Sequence, residues 1–161
     1  MKLSQSELIG GMHFSSDNVI LDMEAGSNTE AIEQLAQRLL ENEMVKPSFP
    51  SAILKREEEY CTGLTFEEMC IALPHTDAEH VLHPCIAVGT LKHPVTFQSM
   101  GEPEVPCEVE MVFMLAIKEP QAQLELLQTL MQAFQGPGRL PALKACKTPV
   151  ELIELFKTYF G

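Results

Sequence analysis

The chain has 161 residues, 45% of them hydrophobic and 21% charged, a size and balance that can bury a core and that exclude a disordered or fibrous chain. Its formal net charge of −12, with only 11 Lys and Arg spread along the sequence, argues against a nucleic-acid surface, which needs clustered cations. The acidity suits solubility or a basic partner. No run reaches the roughly 18 apolar residues of a membrane span, and the start MKLSQSELIGGMHF lacks the apolar core and cleavage site of a signal peptide. The expectation is a cytoplasmic protein without direct membrane insertion, built as a single domain over 1–161. Cys61, Cys70, Cys85, Cys107 and Cys146 contain no C-x-x-C, so reduced, buried thiols are expected rather than a disulfide framework.

Along the chain, VILDM (Val19 to Met23) predicts a short strand. Ser27-Asn28-Thr29-Glu30 then forms an S-x-x-E capping box, opening a helix that buries Ile32, Leu35, Ala36, Leu39 and Leu40. KPSFPSAILKREEEY predicts a shorter helix, and Thr62-Gly63 a turn. Strands follow at Cys70 to Leu73 and Ile86 to Leu91. HPVTFQ predicts an edge strand, SMGEPEVPC a loop, and EVEMVFMLAI (Glu108 to Ile117) a long buried strand. From Pro120 the period becomes helical, with Leu124, Leu127, Leu130, Met131 and Phe134 on one stripe and Gly136-Pro137-Gly138 as the stop. Thr148-Pro149-Val150-Glu151 opens a last helix that buries Leu152, Leu155, Phe156 and Tyr159. Interleaved strands and helices predict an α/β fold, a three-layer α/β/α sandwich with a mixed central sheet flanked by helices.

Three of the five histidines, His75, His80 and His83, fall within nine residues. His75, Asp77, His80 and His83 offer donor types that suit zinc. A helix would align His80 with His83 but leave His75 off that face, and the motif is not H-E-x-x-H. No metal is therefore expected, and His80 and His83 read as solvated loop histidines. His75 differs, because CIAL delivers it to the carboxyl end of a strand, where open α/β sheets bind ligands. Pro74 fixes its own φ and keeps Leu73 extended, so the ring is offered from a stiff platform. A neutral imidazole is a good nucleophile near pH 7, and phosphoryl transfer needs little more than that and donors for the phosphoryl oxygens. Arg56 and Thr62 are candidate donors. No Gly-rich nucleotide loop is present, so neither ATP nor another cofactor is implied.

The stretch LKREEEYCTGLTFEEMCIALPHTDAEHV resembles the active-site region of the fructose/mannitol-type enzyme IIA domains of the bacterial phosphoenolpyruvate-dependent sugar phosphotransferase system (PTS). Arg56-Glu57, Thr62-Gly63 and Ile71-Ala72-Leu73-Pro74-His75 match in order, and the likeness runs on through VTFQ, VEMVFMLAI and QLELLQTLMQAF. The resemblance implies a phosphocarrier: His75 would accept a phosphoryl group from HPr and pass it to a IIB component, with the IIC membrane permease engaged indirectly. Arg56 would help hold the phosphoryl group. Many members carry a second active-site histidine where this chain has Gln123. That glutamine, with PHTDAEHV in place of PHG, is closest to the galactitol-type branch. The alternative within the same resemblance is a phosphorylation-switched regulatory module of the nitrogen-regulatory kind.

Overall fold

The computed structural model describes residues 7–9 and 12–160. Seven strands join in one mixed sheet: β1 (Glu7–Ile9), β2 (Met12–Phe14), β3 (Val19–Met23), β4 (Gly63–Thr65), β5 (Cys70–Ala72), β6 (Cys85–Ser99) and β7 (Glu102–Ala116). Five helices cover it: α1 (Asn28–Glu41), α2 (Phe49–Glu59), α3 (Pro120–Phe134), α4 (Arg139–Lys144) and α5 (Pro149–Phe160). The period-two alternation of β7 decides the layers. Val112, Met114 and Ala116 join a core with α1 and α2, whereas Met111, Phe113 and Leu115 join a second core with α3, α4 and α5. Phe113 stands 4.6 Å from Phe134 and 6.0 Å from Phe156, centroid to centroid. Phe113→Ala would cost about 3–5 kcal/mol there. The three-layer α/β/α expectation holds.

Both capping boxes form. Ser27 Oγ accepts from the Glu30 amide at 3.2 Å, and Thr148 Oγ1 from that of Glu151 at 3.1 Å. Each glutamate reaches one residue further back than the standard motif, to the Gly26 and Lys147 amides at 2.6 Å.

Four expectations need correction. The two strands expected at Ile86–Leu91 and His93–Gln98 are one strand, β6, bent by a register irregularity between Thr90 and Val95. SMGEPEVPC is not a loop throughout: Met100-Gly101 makes a tight turn, with Gly101 at φ +78°, and β7 already runs from Glu102. Its prolines, Pro103 and Pro106, are tolerated because β5 pairs with β7 only from Val109 onward, so the missing N–H groups lie where no second ladder needs them. Gly63 opens β4 rather than closing a turn. A Cβ there would sit 2.7 Å from the Gln98 carbonyl oxygen and 2.9 Å from Cys107 Sγ, so only glycine lets β4 approach the end of β6. Finally, the α3 stripe is rotated. Leu126, Leu130, Ala133 and Phe134 are buried, whereas Leu124 is 62% exposed.

Candidate functional site

The site forms where β5 ends. β5 runs parallel to β7, and its continuation is tied on both sides. The Leu73 N–H donates to the Thr62 carbonyl at 3.2 Å, and the Leu115 N–H to the Pro74 carbonyl at 3.0 Å. His75 follows in an isolated parallel bridge to Leu115. The backbone under the ring is thus fixed by hydrogen bonds and by the proline's locked φ.

His75 Nδ1 lies 2.8 Å from the Leu73 carbonyl oxygen. A carbonyl only accepts, so in the neutral ring Nδ1 carries the hydrogen and the Nε2 lone pair is left free. Burial lowers the basicity of the ring most, and the Arg56 charge lowers it further; the Leu73 carbonyl and the Asp77 carboxylate oppose the shift. The net effect keeps the half-buried imidazole neutral at pH 7.

Arg56, on the last turn of α2, supplies positive charge beside that ring. Its Nη1 is 3.7 Å from Asp77 Oδ1, and its guanidinium carbon lies 4.4 Å from the centroid of the Tyr60 ring. The Arg56 Nε is buried and has no hydrogen-bond partner among the described residues. An oriented guanidinium with an unspent donor next to a neutral nucleophile suits a phosphoryl group, whose oxygens accept parallel N–H bonds.

Thr62 has a different place from the one expected. It is buried, and its amide and hydroxyl donate to Glu57 Oε2 and Oε1 at 2.9 and 2.7 Å, so the hydroxyl is already committed and is no free donor for a phosphoryl oxygen. Glu57 itself escaped the sequence reading as a site residue. Phe49, Ile53 and Glu57 form the buried line of α2, and a carboxylate completing an apolar i, i+4, i+8 series was the available signal. Burial raises its carboxyl to about 7, against the two Thr62 bonds, which lower it.

Gln123 lies in the first turn of α3, which begins five residues after Leu115 in sequence; its side chain lies outside the described residues. The structure does not bring His75, Asp77, His80 and His83 together. Asp77 faces Arg56, His80 Nδ1 pairs with Ser48 Oγ at 2.8 Å, and His83 packs edge-on to His13 with centroids 6.4 Å apart. Among the described residues no group of three or more His, Cys, Asp or Glu is placed to hold a metal ion, and no helix is long and apolar enough to cross a membrane.

Known proteins share this chain's sequence pattern and its fold. The galactitol-specific EIIA component of the PTS in Escherichia coli K12 is 30% identical over 115 residues, 71% of this chain and 76% of that protein. Two solved structures share the fold. Enzyme IIA-Mtl of Escherichia coli, in complex with phosphorylated enzyme IIB-Mtl, superposes with a TM-score of 0.75 at 22% identity, covering 90% of this chain and 99% of the other. The nitrogen regulatory protein IIA-Ntr of Neisseria meningitidis gives 0.70 at 20% identity, covering 88% and 94%. The family model described as "Phosphoenolpyruvate-dependent sugar phosphotransferase system, EIIA 2" matches residues 12–159, and the chain belongs to that family.

Proposed function

We propose that the chain is a cytoplasmic phosphocarrier in which His75 Nε2 accepts a phosphoryl group from the phosphohistidine of HPr and hands it to a IIB component, which in turn serves a IIC permease. As the new N–P bond forms, the bond to the donor imidazole breaks, and that ring leaves with the electron pair. The attacking nitrogen has no proton to lose, because its hydrogen sits on Nδ1. Arg56 holds the phosphoryl oxygens during transfer.

The observation that carries this reading is the Nδ1–H bond to the Leu73 carbonyl at 2.8 Å, which aims a free Nε2 from a rigid strand end beside Arg56. Likeness to a galactitol-specific relative over 71% of the chain favours galactitol or a similar polyol as the sugar. The test is phosphorylation of the purified protein by phosphoenolpyruvate, enzyme I and HPr, followed by addition of a galactitol-type IIB. Labelling on His75 that discharges rapidly to IIB is the expected result. Label that forms but never moves to IIB would instead favour a phosphorylation-switched regulatory module, and no label would overturn both.

A further inference from the structure

The Nδ1–H bond that orients His75 is the last link of a chain that begins 18 residues earlier in sequence. Glu57 receives both the amide and the hydroxyl of Thr62, at 2.9 and 2.7 Å. The Thr62 carbonyl accepts the Leu73 N–H at 3.2 Å. The Leu73 carbonyl then accepts His75 Nδ1–H at 2.8 Å. Each link is a donor and acceptor at ordinary bonding distance, and the first two lie among buried groups. A carboxyl group buried at the end of an apolar helix face is costly unless it is hydrogen-bonded, and the Thr62 amide and hydroxyl supply those bonds. Its immediate neighbour Arg56 lies close enough for its charge to lower the basicity of the same ring.

We propose that Glu57 is a positioning residue for His75: by clamping Thr62 it fixes the Leu73 backbone and so the ring orientation and tautomer that leave Nε2 free. This rests on the reading of His75 as phosphoryl acceptor, but the tautomer can be tested without any partner. The ionised carboxylate accepts both Thr62 bonds with charge assistance. The neutral acid carries a hydrogen on one oxygen, which competes with the Thr62 hydroxyl for the same space. The clamp is therefore tighter in the ionised form. Facing Glu57 across the adjoining cavity are Asn28 and Thr29 from α1 and Gln98 from β6, all uncharged, with Glu58 and Cys61 from its own segment. No cation among the described residues lines that cavity, so the proton on Glu57 is governed by burial and by Thr62, and it leaves near pH 7.

The experiment records the two ring 15N shifts of His75 in the isolated protein from pH 5 to 9, in wild type, Glu57→Gln, Glu57→Ala and Thr62→Val. Wild type should show the Nδ1–H tautomer, with a ring protonation step below pH 6.5 and a second inflection near 7. Glu57→Gln keeps the shape of the clamp and should keep the tautomer while losing the second inflection. Glu57→Ala and Thr62→Val should shift the tautomer ratio by about threefold to tenfold, the worth of one neutral hydrogen bond. Phosphorylation by HPr is then compared as the ratio of Glu57→Gln to wild-type rate at each pH, so that titration of the donor cancels. The ratio should fall by a similar factor as pH rises through 7. An unchanged tautomer in folded Glu57→Ala or Thr62→Val, or a wild-type second inflection that survives in Glu57→Gln, would overturn the positioning role. If Glu57→Ala fails to fold, Thr62→Val and Glu57→Gln still decide it. A wild-type protein with the expected tautomer that HPr never labels would defeat the phosphocarrier reading and leave the clamp standing.

Discussion

Two imidazoles on this molecule are both less basic than a free histidine and differ in the bond made by Nδ1. His75 and His13 are both partly buried, and burial lowers the basicity of each, helped by Arg56 at His75 and by His83 at His13. His13 stands opposite Cys85 in the β2–β6 ladder, with its amide bonded to the Pro84 carbonyl at 2.9 Å. Its Nδ1, however, is buried with no hydrogen-bond partner among the described residues. His75 Nδ1 is held by Leu73. Burial alone makes a neutral ring; the backbone acceptor makes a directed nucleophile, because only a fixed tautomer aims a defined lone pair. The contrast can be broken at several points.

The largest effect is expected at the ring itself. His75→Ala should abolish phosphorylation by phosphoenolpyruvate, enzyme I and HPr, whereas His13→Ala and His93→Ala should be labelled as wild type. Full labelling of the His75→Ala protein would remove the distinction. Next is Arg56→Ala, which takes the guanidinium from beside His75 but leaves Asp77 and Tyr60, both largely exposed, free to hydrate. Losing one donor to transition-state charge costs on the order of 3 kcal/mol, so transfer should slow about a hundredfold. The melting curve should barely change. An unaltered rate would reduce Arg56 to a surface ion pair of little worth.

A third prediction concerns stability and follows from the carboxyl that the histidines oppose. Folded Glu57 keeps its proton up to about pH 7, against the ordinary value of 4.5. Between those values the folded state binds more protons than the unfolded chain, so the Glu57 contribution makes stability fall as pH rises from 4.5 to 7. His75 and His13, lowered from 6.5, act in the other direction: their contribution is complete above pH 6.5 and is lost as pH falls below it. Urea denaturation of wild type and Glu57→Gln across pH 4.5 to 8 separates the two. The difference between the proteins should grow in favour of the glutamine by roughly 2–3 kcal/mol over that range, leaving the variant with the histidine slope alone. Parallel curves would mean that Glu57 is ionised throughout.

These contrasts also mark what could be read in the sequence. The layers were legible because β7 alternates between two cores and the helices carry their own caps and stripes. The division of β6 and β7 was not, since His93-Pro94 and Pro103 to Pro106 carry loop composition and only the pairing of the finished hairpin shows them to be strand. His75 and Arg56 stand out in the sequence through a strand end and an ordered motif, and the fold sets the Arg56 charge beside the His75 ring. Thr62 reads as a free donor in sequence, but its partner Glu57, five residues away on a helix, is brought to it by the turn at Tyr60 and Cys61; nothing in a one-dimensional pattern distinguishes a hydroxyl facing a ligand from one facing a carboxylate. Gly63 likewise reads as a turn in sequence and proves to be a point of close strand approach.

The smallest expected effect falls on Gln123, where the chain departs from the commoner histidine. The β7 strand delivers Leu115 to its bridge with His75, and α3 starts soon afterwards, so the first turn of α3 is in sequence range of the phosphoryl position. An amide there donates a hydrogen bond and never titrates. A neutral bond of this kind contributes about 0.5–1.5 kcal/mol, so Gln123→Ala should slow transfer by about a factor of ten or less. Gln123→His should keep activity and acquire a further pH dependence between about pH 6 and 7, where an imidazole gains or loses its proton. That new dependence is separable from the one assigned to Glu57, since it should persist in the double variant Glu57→Gln/Gln123→His. Rates and pH profiles that match wild type in both single variants would place the amide in solvent, leaving Arg56 as the main side-chain donor to the phosphoryl group.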